Sequence, residues 1–350
     1  MSEQLITQIY EKLGRFKDPA SNKLFNKENT DIDVICKNGH SNITINIDAG
    51  NKTQYGELSL NIKKDLKSIK DLLSTNIVLT SETDKSSTSS NADEKNTRFK
   101  IQAKNIIAIA SGKGGVGKST FAVNFAVALK KLGKNVGILD ADIYGPSIPR
   151  MMGISGRPQA NNNNKLIPLE SYGIKCMSIG FLIGVDTPTI WRGPMVMKAL
   201  EQMFNGVEWG ELDFLIIDLP PGTGDAQLTL AQSSKLSGAI IVSTPQDVAL
   251  IDARKGINMF NRVEVPVLGI VENMSYFICD NCDERHEIFS NGGARKEAEK
   301  FQTTFLGELP IDKNLRIYSD EGRPVCISDP KSNIAKIYLE IGEKIIKQFI

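Results

Sequence analysis

Short apolar runs and stretches of helical periodicity alternate along the chain from residue 106 onward. Apolar runs rich in β-branched residues begin at residues 106, 136, 174, 214, 238, 267 and 305, and they predict strands that are buried on both faces. Between them, stretches such as 119–133 and 247–263 predict helices. This alternation predicts a doubly wound α/β domain with a mostly parallel sheet over residues 105–350, whose ligands bind at the carboxyl ends of the strands.

The chain before this domain has a different pattern. Residues 1–80 predict a helix (3–16), two strands joined across Asn38-Gly39, a second helix (55–73) and a third strand, which together form a small α/β domain. Residues 81–98 contain Ala92 as their only apolar side chain, so they bury almost no surface. The pattern therefore predicts a flexible linker over residues 81–104.

Charge and composition narrow the classes of protein that fit. The 42 basic and 41 acidic side chains leave a formal net charge of +1, so no overall field favours a nucleic acid or an acidic membrane surface. The chain has no apolar run of about 18 residues and no secretion signal at its start. Its five cysteines, an odd number, fit a reducing compartment. We therefore expect a cytoplasmic protein without nucleic-acid or membrane partners.

The sequence SGKGGVGKSTF, residues 111–121, lies between a predicted strand and a predicted helix and matches the phosphate-binding P-loop pattern. The residues expected to bind the nucleotide here are Gly112, Lys113, Gly114, Gly115, Val116, Gly117, Lys118, Ser119 and Thr120. In a P-loop the backbone N–H groups surround the phosphates, the lysine at position 118 adds a cation, and the Ser119 hydroxyl binds Mg²⁺. ATP and Mg²⁺ are thus the expected ligands, and Lys113 is a second lysine without a role in this scheme.

Polar side chains follow three of the predicted strands. Asp218 is expected to hold Mg²⁺ through water. Asp142 is expected to orient the attacking water, whereas Asp140 is expected to accept hydrogen bonds either from the backbone or from a metal-bound water. The Asn273 amide can pair with adenine, although an asparagine in a loop is usually a turn residue.

Cys279 and Cys282 form a C-x-x-C turn shortly after Asn273. Such a turn brings two thiolates to one metal ion or cluster edge. A [4Fe–4S] cluster normally takes four thiolates, so a two-fold dimer that contributes both cysteines twice completes the set. Zinc is an alternative because His286 would add a third ligand, and a site without metal also stays open. Cys176 and Cys326 lie in apolar segments and are expected in the core.

Several motifs together resemble a known family. GKGGVGKST is similar to the deviant P-loop shared by nitrogenase iron protein, the cell-division and partition ATPases and the arsenite-pump ATPase. LDADIYGPSIPRMMG, WRGPM, DLPPGTGD, ENMSYFICDNC, FSNGGARKEAEKF and DEGRPV narrow the resemblance to the Mrp (ApbC) iron–sulfur cluster carrier ATPases. It covers nearly the whole chain after the linker. The resemblance implies a nucleotide-sandwich homodimer in which Lys113 reaches the phosphates bound by the other subunit and in which Cys279 and Cys282 of both subunits hold a bridging cluster.

The function that the resemblance implies is the binding and transfer of iron–sulfur clusters, taken from scaffold proteins and given to apo-proteins, with ATP binding and hydrolysis controlling the dimer. Lys113, Lys118 and Asp142 are the implied catalytic residues. A partition-type ATPase without a cluster is the alternative. The last helical stretch, residues 332–350, mixes lysine with glutamate on its polar face, unlike a membrane-surface helix, so we expect it to pack on the sheet.

The small first domain also has a counterpart in the resemblance. Asp18-Pro19 is similar to an Asp-Pro pair in a module that occurs alone in other iron–sulfur assembly proteins. The cysteine that this module carries after the position of Gly56 is absent from the helix here. This difference favours a docking or regulatory role over a ligand role.

Overall fold

The computed structural model describes residues 2–20, 23–25, 32–37, 40–47, 52–66, 68–69, 72, 74–80, 101, 103–143, 145–182 and 193–350. The chain divides into two compact units, Met1–Ala92 and Asp93–Ile350. Of the predicted linker, residues 81–100 and 102 lie outside the described residues, as does the predicted turn at Asn38-Gly39. Ala103 already pairs with Leu212 in the sheet of the large unit, so the first strand there begins before the expected boundary at residue 105.

The small unit contains α1 (Ser2–Leu13), β1 (Ile32–Lys37), β2 (His40–Asn46), α2 (Lys52–Leu66) and β3 (Ser74–Thr80). This element order is the predicted one, with β1 antiparallel and β3 parallel to the central strand β2. The second helix ends at Leu66 instead of residue 73, and just beyond it the Ser68 and Ile69 N–H groups donate to carbonyl oxygens three residues earlier, at 3.3 and 3.1 Å, as in a tight turn. Asp18 is buried and accepts a hydrogen bond from the Tyr55 hydroxyl, which holds the Asp-Pro pair inside this unit.

The strands of the large unit are β4 (Ala103–Ala110), β5 (Val136–Asp140), β6 (Leu169–Ser171), β7 (Ile174–Ser178), β8 (Leu212–Asp218), β9 (Gly238–Ser243), β10 (Val267–Glu272), β11 (Phe277–Ile278), β12 (Arg285–His286) and β13 (Phe305–Glu308). Eight of them form one sheet in the order β13-β10-β9-β4-β8-β5-β7-β6, and only β6 is antiparallel to its neighbour. Every residue of β5 and β9 is buried, so both faces of the sheet are covered. The predicted mostly parallel α/β sheet is confirmed.

The helices of the large unit are α3 (Lys118–Lys131), α4 (Ile148–Met151), α5 (Gly193–Asn205), α6 (Asp225–Ser233), α7 (Asp247–Arg262), α8 (Gly293–Lys300), α9 (Lys313–Asp320), α10 (Val325–Ser328) and α11 (Asn333–Lys347). The last helix packs on α3, where the rings of Tyr338 and Phe121 lie 5.9 Å apart, and the Lys344 ammonium donates to the Leu306 carbonyl oxygen of β13. This helix therefore packs inside the unit, as expected. No helix among the described residues is long and apolar enough to cross a membrane.

Two small features were missed by the sequence pattern. The edge strand β6 has only three residues and pairs with β7 through Tyr172 and Gly173, whose φ angles of 54° and 71° make a tight hairpin turn. The strands β11 and β12 have two residues each, too few to show any periodicity, and form a separate hairpin after β10. That hairpin contains the C-x-x-C turn at its tip.

The parallel strands β4, β5, β8, β9 and β10 end at one edge of the sheet. The P-loop follows β4, Asp142 follows β5, Asp218 ends β8 and Asn273 follows β10. The topology thus brings segments that are far apart in sequence to one place.

Candidate functional site

The P-loop is tightly enclosed by its neighbours. Gly115 and Gly117 both have φ angles of +81°, in the left-handed region that favours glycine. A Cβ atom on Gly117 would lie 2.2 Å from the Asn273 side-chain nitrogen, and one on Gly112 would lie 2.3 Å from the Asp252 backbone carbon. Glycine is therefore required at positions 112 and 117 by the close approach of α7 and of the loop after β10.

Lys118 lies between two carboxylates below this loop. Its Nζ donates to Asp218 Oδ1 at 2.7 Å and lies 3.8 Å from Asp142 Oδ2. The Lys118 side chain is 6% exposed and that of Asp218 is fully buried. Asp218 Oδ2 has no hydrogen-bond partner among the described residues, and such a buried oxygen is suited to a metal-bound water. The Ser119 hydroxyl and this free oxygen of Asp218 are oxygen donors of the kind that fits Mg²⁺.

Asp140 is the second fully buried carboxyl group at this edge. It accepts hydrogen bonds from the Ser178 hydroxyl at 3.0 Å and from the backbone N–H groups of Asp142 at 3.2 Å and Ile148 at 3.3 Å. Burial, reinforced by repulsion from Asp218, raises the pKa of Asp140 to about 8. Of the two roles that the sequence left open for Asp140, the structure shows that of a backbone acceptor, which fixes the loop that carries Asp142.

The pKa of Asp218 is also raised by burial, while the Lys118 ammonium opposes this shift. The two aspartates and the lysine therefore form one coupled electrostatic group.

Asn273 contacts the P-loop directly. Its Nδ2 donates to the Val116 carbonyl oxygen at 2.8 Å, and its backbone N–H donates to Ser243 at 2.8 Å. One of the two side-chain amide hydrogens is thus used within the protein, and the pairing with adenine that the sequence suggested stays a prediction for the rest of the amide. Asn273 nevertheless lines the cavity described next.

A cavity of about 590 Å³ opens beside the P-loop, a volume within the range of small-molecule sites. Its lining includes Gly117, Thr120, Arg150, Asn273, Pro310, Asp312 and Arg316. Sequence reasoning missed the three residues after β13. The available signal was their place after the carboxyl end of a predicted strand, which is where ligands bind in this type of sheet.

Lys113 differs from Lys118 in its surroundings. It is partly exposed, and its carbonyl oxygen accepts a hydrogen bond from the Ser111 hydroxyl at 2.9 Å. Among the residues that the structure describes, no carboxylate forms an ion pair with the Lys113 ammonium. The Lys113 ammonium is therefore available to a negatively charged group that the described residues of this chain do not supply.

The two cysteines of the C-x-x-C turn lie at the tip of the β11–β12 hairpin, residues 277–286, which we call the cysteine hairpin. The turn is closed by hydrogen bonds from the Cys279 N–H to Glu284 and from the Asp283 N–H to Cys279, both 3.0 Å. Cys282 is exposed and Cys279 is partly exposed. Hydrogen bonds from the backbone N–H groups of Asn281 and Cys282, and from the Cys282 thiol, lower the pKa of the Cys279 thiol.

The other cysteines are buried in the two cores. Cys176 and Cys326 lie in the large unit, which confirms their predicted place, and Cys36 lies in the small one. Only the hairpin thiols are therefore offered to a ligand at the surface.

One side of the cysteine hairpin is anchored to the sheet edge. The Arg285 guanidinium lies 3.9 Å above the centre of the Tyr276 ring and forms an ion pair of 2.9 Å with Glu308 at the end of β13. The Ile311 N–H donates to the Tyr276 carbonyl oxygen at 2.7 Å. These contacts hold the base of the hairpin and leave its tip free.

A buried glutamate, Glu272 at the end of β10, fixes the segment that contains the hairpin. Its two oxygens accept hydrogen bonds of 2.7 Å from the Ser275 hydroxyl and from the Ala294 N–H at the start of α8. The next residue, Asn273, bonds to the P-loop. Adjacent residues thus contact the P-loop and the two segments that flank the cysteine hairpin. The sequence analysis missed Glu272, although a charged residue at the end of an apolar strand was the signal.

The family model described as ParA, NUBPL iron-transfer P-loop NTPase, matches residues 102–346. An iron–sulfur protein required for NADH dehydrogenase from Arabidopsis thaliana mitochondria is 54% identical over 261 residues, 74% of this chain and 83% of the relative. The iron–sulfur cluster carrier protein of Escherichia coli is 54% identical over 246 residues, 70% of this chain and 67% of the relative.

Solved structures match the large unit as well. A nucleotide-binding protein from Archaeoglobus fulgidus, solved with ADP and with cobalt found in it, is 43% identical with a TM-score of 0.59, and the match covers 68% of this chain and 93% of that one. The cell-division ATPase MinD of Pyrococcus furiosus is 23% identical with a TM-score of 0.52, over 70% of this chain and 99% of that one. The second likeness shows the fold alone.

Proposed function

Since this chain belongs to the family of NUBPL iron-transfer P-loop NTPases, we propose that it binds iron–sulfur clusters and transfers them to apo-proteins under the control of ATP. The observation that carries the proposal is the pair of surface thiols at Cys279 and Cys282, held on a hairpin whose supporting segment contacts the P-loop. Relatives that are 54% identical bear the names of iron–sulfur proteins and carriers, which supports the same function.

ATP is the proposed nucleotide, and residues 112–120 are its proposed phosphate site. Lys118 would pair with the phosphates, and the cavity lined by Asn273, Pro310 and Asp312 has the volume for the nucleoside. Ser119 and Asp218 would hold Mg²⁺, which neutralises phosphate charge when bound. As Lys118 shifts its charge toward the phosphates, Asp218 is released from its ion pair and is free to hold a metal-bound water.

The proposed hydrolytic residue is Asp142. Its carboxylate lies 3.8 Å from the ammonium of Lys118, the proposed phosphate-binding cation, and its side chain is 13% exposed. Asp142 is therefore close to the phosphate site and can still be reached by water. Asp140 positions this residue by accepting the hydrogen bond from its backbone N–H. The family assignment supports nucleotide hydrolysis at this edge of the sheet, and orientation of water is the role that fits a carboxylate that is partly accessible beside it.

The ligand count supports a homodimer. One chain offers two thiolates on an exposed turn, and a [4Fe–4S] cluster normally takes four. We therefore infer that the cluster is the cargo of two chains, each giving Cys279 and Cys282. The partly exposed Lys113, without an acidic partner among the described residues, would reach the phosphates held by the other chain, so that ATP favours the closed dimer.

Glu272 and Asn273 are the proposed link between the two sites. A shift of the P-loop on nucleotide binding moves Asn273 through its bond to Val116, and Glu272 passes that shift to the start of α8 and to the hairpin. Dimer closure and exposure of the thiols would thereby respond to the same nucleotide. The proposed donors of the cluster are scaffold proteins, and the recipients are apo iron–sulfur proteins.

The alternative, a partition-type ATPase without a cluster, has weaker support. The likeness to MinD is one of fold only. A positioning ATPase has no need for two thiols at the surface, one of which, Cys279, has a lowered pKa.

Anaerobic reconstitution with iron and sulfide tests the function. We expect the wild-type chain to form a brown dimer with one cluster per two chains, and to activate an apo [4Fe–4S] acceptor. Cys279→Ser and Cys282→Ser should each lose iron and sulfide in equal measure, whereas Cys36→Ala, which removes a thiol buried in the small unit, should keep them. Unchanged iron and sulfide in the Cys279→Ser protein would refute the proposal.

A further inference from the structure

The cysteine hairpin carries three different metal-binding side chains close together. Cys282, Glu284 and His286 each offer one ligand atom, and these atoms all lie within 4.8 Å of one another. His286 Nε2 is 4.0 Å from Glu284 Oε2. All three side chains are exposed, so no packing has to be broken for an ion to reach them.

The strand geometry explains why these residues meet. Glu284 directly precedes β12 and His286 ends it, and their ligand atoms lie together, while the Arg285 side chain between them lies over the Tyr276 ring. The turn, with a φ angle of 57° at Asp283, brings Cys282 back to the face of Glu284 and His286. The ion pair between Arg285 and Glu308 anchors the opposite face of the hairpin. The backbone that carries the three donors is thereby held in place.

The distances suit a tetrahedral zinc-type ion. With Zn–S of about 2.3 Å and Zn–N and Zn–O of about 2.1 Å, neighbouring ligand atoms lie about 3.4–3.8 Å apart. The His286–Glu284 separation of 4.0 Å exceeds its expected value by about 0.6 Å, and the pairs with sulfur, within 4.8 Å, exceed theirs by about 1.2 Å at most. Small rotations of exposed side chains close that gap. A thiolate, an imidazole and a carboxylate are together a donor set of the borderline class that zinc prefers.

The fourth donor is Cys279, which lies on the same turn but outside the group of three ligand atoms that are within 4.8 Å of one another. The Cys279 sulfur accepts a hydrogen bond from the Cys282 thiol. A metal ion in place of that thiol proton would contact both sulfur atoms, as in other C-x-x-C turns. The four donors then come from a single chain, within residues 279–286.

We propose that one chain binds one zinc-type divalent ion through Cys282, Glu284 and His286, with Cys279 as the fourth ligand. Binding of the ion displaces the thiol protons to solvent and leaves two metal–thiolate bonds. Ion binding itself stands apart from the function proposed above. Its consequence for the carrier rests on that function. Because the same sulfur atoms would bind the ion and the cluster, a chain that holds the ion cannot hold the cluster. The ion-bound chain is then a monomer whose thiols are protected by the metal.

The test uses the full chain, reduced, free of iron and sulfide, and titrated with Co²⁺ under anaerobic conditions. We expect one Co²⁺ per chain, intense visible bands of tetrahedral cobalt with sulfur ligands, displacement by Zn²⁺, and a monomer by sedimentation. Glu284→Gln and His286→Asn should each weaken Co²⁺ binding at least about tenfold, which is about 1.4 kcal/mol. Asp280→Asn, which removes a carboxylate from the same turn outside the ligand set, should stay within about twofold.

Half an ion per chain in a dimer, with unchanged affinity in Glu284→Gln and His286→Asn, would assign the ion to four cysteines of two chains and overturn the proposal. Absence of the tetrahedral bands would overturn it as well. Reconstitution of the same two variants with iron and sulfide separates the proposals: we expect them to keep wild-type cluster content. If the wild-type chain binds Co²⁺ as described but no cluster, the carrier function fails while the ion site stands.

Discussion

The P-loop and the cysteine hairpin follow strands of the same sheet, but they are held in different ways. Lys118 is 6% exposed, and the P-loop is enclosed so closely that a single Cβ at Gly117 would collide with Asn273. The hairpin has an anchored base and an exposed tip with Cys282. A preformed buried site suits a ligand such as a nucleotide, which enters and leaves as a small molecule. An exposed site suits a cargo that must pass to another protein.

The largest effect should come from the buried cation. Lys118→Met removes the partner of Asp218 and the cation of the P-loop, so ATP affinity should fall by about ten- to hundredfold, or about 1.5–3 kcal/mol, as measured by calorimetry. Lys104→Met is the control, because that lysine pairs with Asp213 at the surface and should leave ATP affinity unchanged. If Lys118→Met bound ATP as tightly as the wild type, the buried lysine would not be the cation that binds the nucleotide.

Two glycines with the same φ angle test how close the enclosure is. Gly115→Ala meets no atom within 4 Å and should cost about 1–2 kcal/mol of unfolding free energy from backbone strain alone. Gly117→Ala also displaces the Asn273 amide from Val116, so it should cost about 1 kcal/mol more. Urea unfolding of both variants measures the difference, and equal losses would show that the contact with Asn273 is not required.

The link between the regions should respond more to the buried glutamate than to the surface one. Glu272→Gln weakens the charge-assisted bond to the Ala294 N–H and should lower the free energy of unfolding by about 1.5 kcal/mol. Glu308→Gln, at the partly exposed base of the hairpin, should lower it by about 0.5 kcal/mol. Hydrogen exchange over residues 276–294 should rise on ATP binding in the wild type and lose that response in Glu272→Gln. A preserved response would contradict the proposed link.

The pH dependence of stability belongs to the buried side of the comparison. Because Asp140 has a pKa of about 8 in the folded chain and about 4 when unfolded, the native state binds the extra proton, and stability from this group is lost as pH rises from about 4 to 8. Asp140→Asn cannot ionise, so its stability relative to the wild type should increase with pH, by less than about 1.4 kcal/mol per unit. The free energy of unfolding of both proteins is measured by urea unfolding, without nucleotide, across this pH range. Parallel pH profiles of the wild type and Asp140→Asn would exclude the raised pKa of Asp140.

The P-loop could be predicted from the sequence more fully than the surroundings of the cysteine hairpin, for a physical reason. The P-loop motif is local: its glycines, Lys118 and Ser119 are consecutive, and the flanking apolar runs show the strand and the helix. Asp218 could be predicted because it ends an obvious apolar strand. The functional assignments of these residues stay predictions until the variants are measured.

What escaped the sequence depends on contacts between distant segments. Glu272 looks like the last residue of a strand, and only the packing of α8 shows that its carboxylate accepts the Ala294 N–H. The bond from the Asn273 amide to Val116 joins two segments that are far apart in sequence, so no local pattern shows it. The residues after β13 reach the P-loop cavity only because β13 lies at the other edge of β10.

The sequence by itself determined the parallel α/β fold, the phosphate-binding loop and the cysteine turn, because apolar periodicity and short motifs encode local conformation. The tertiary structure decided which side chains meet: Lys118 with Asp218 and Asp142, Asp140 with the backbone of its own loop, and Glu284 with His286 beside Cys282. Burial and distance set the charge state and the ligand geometry of these groups. Both quantities arise only when the chain has packed.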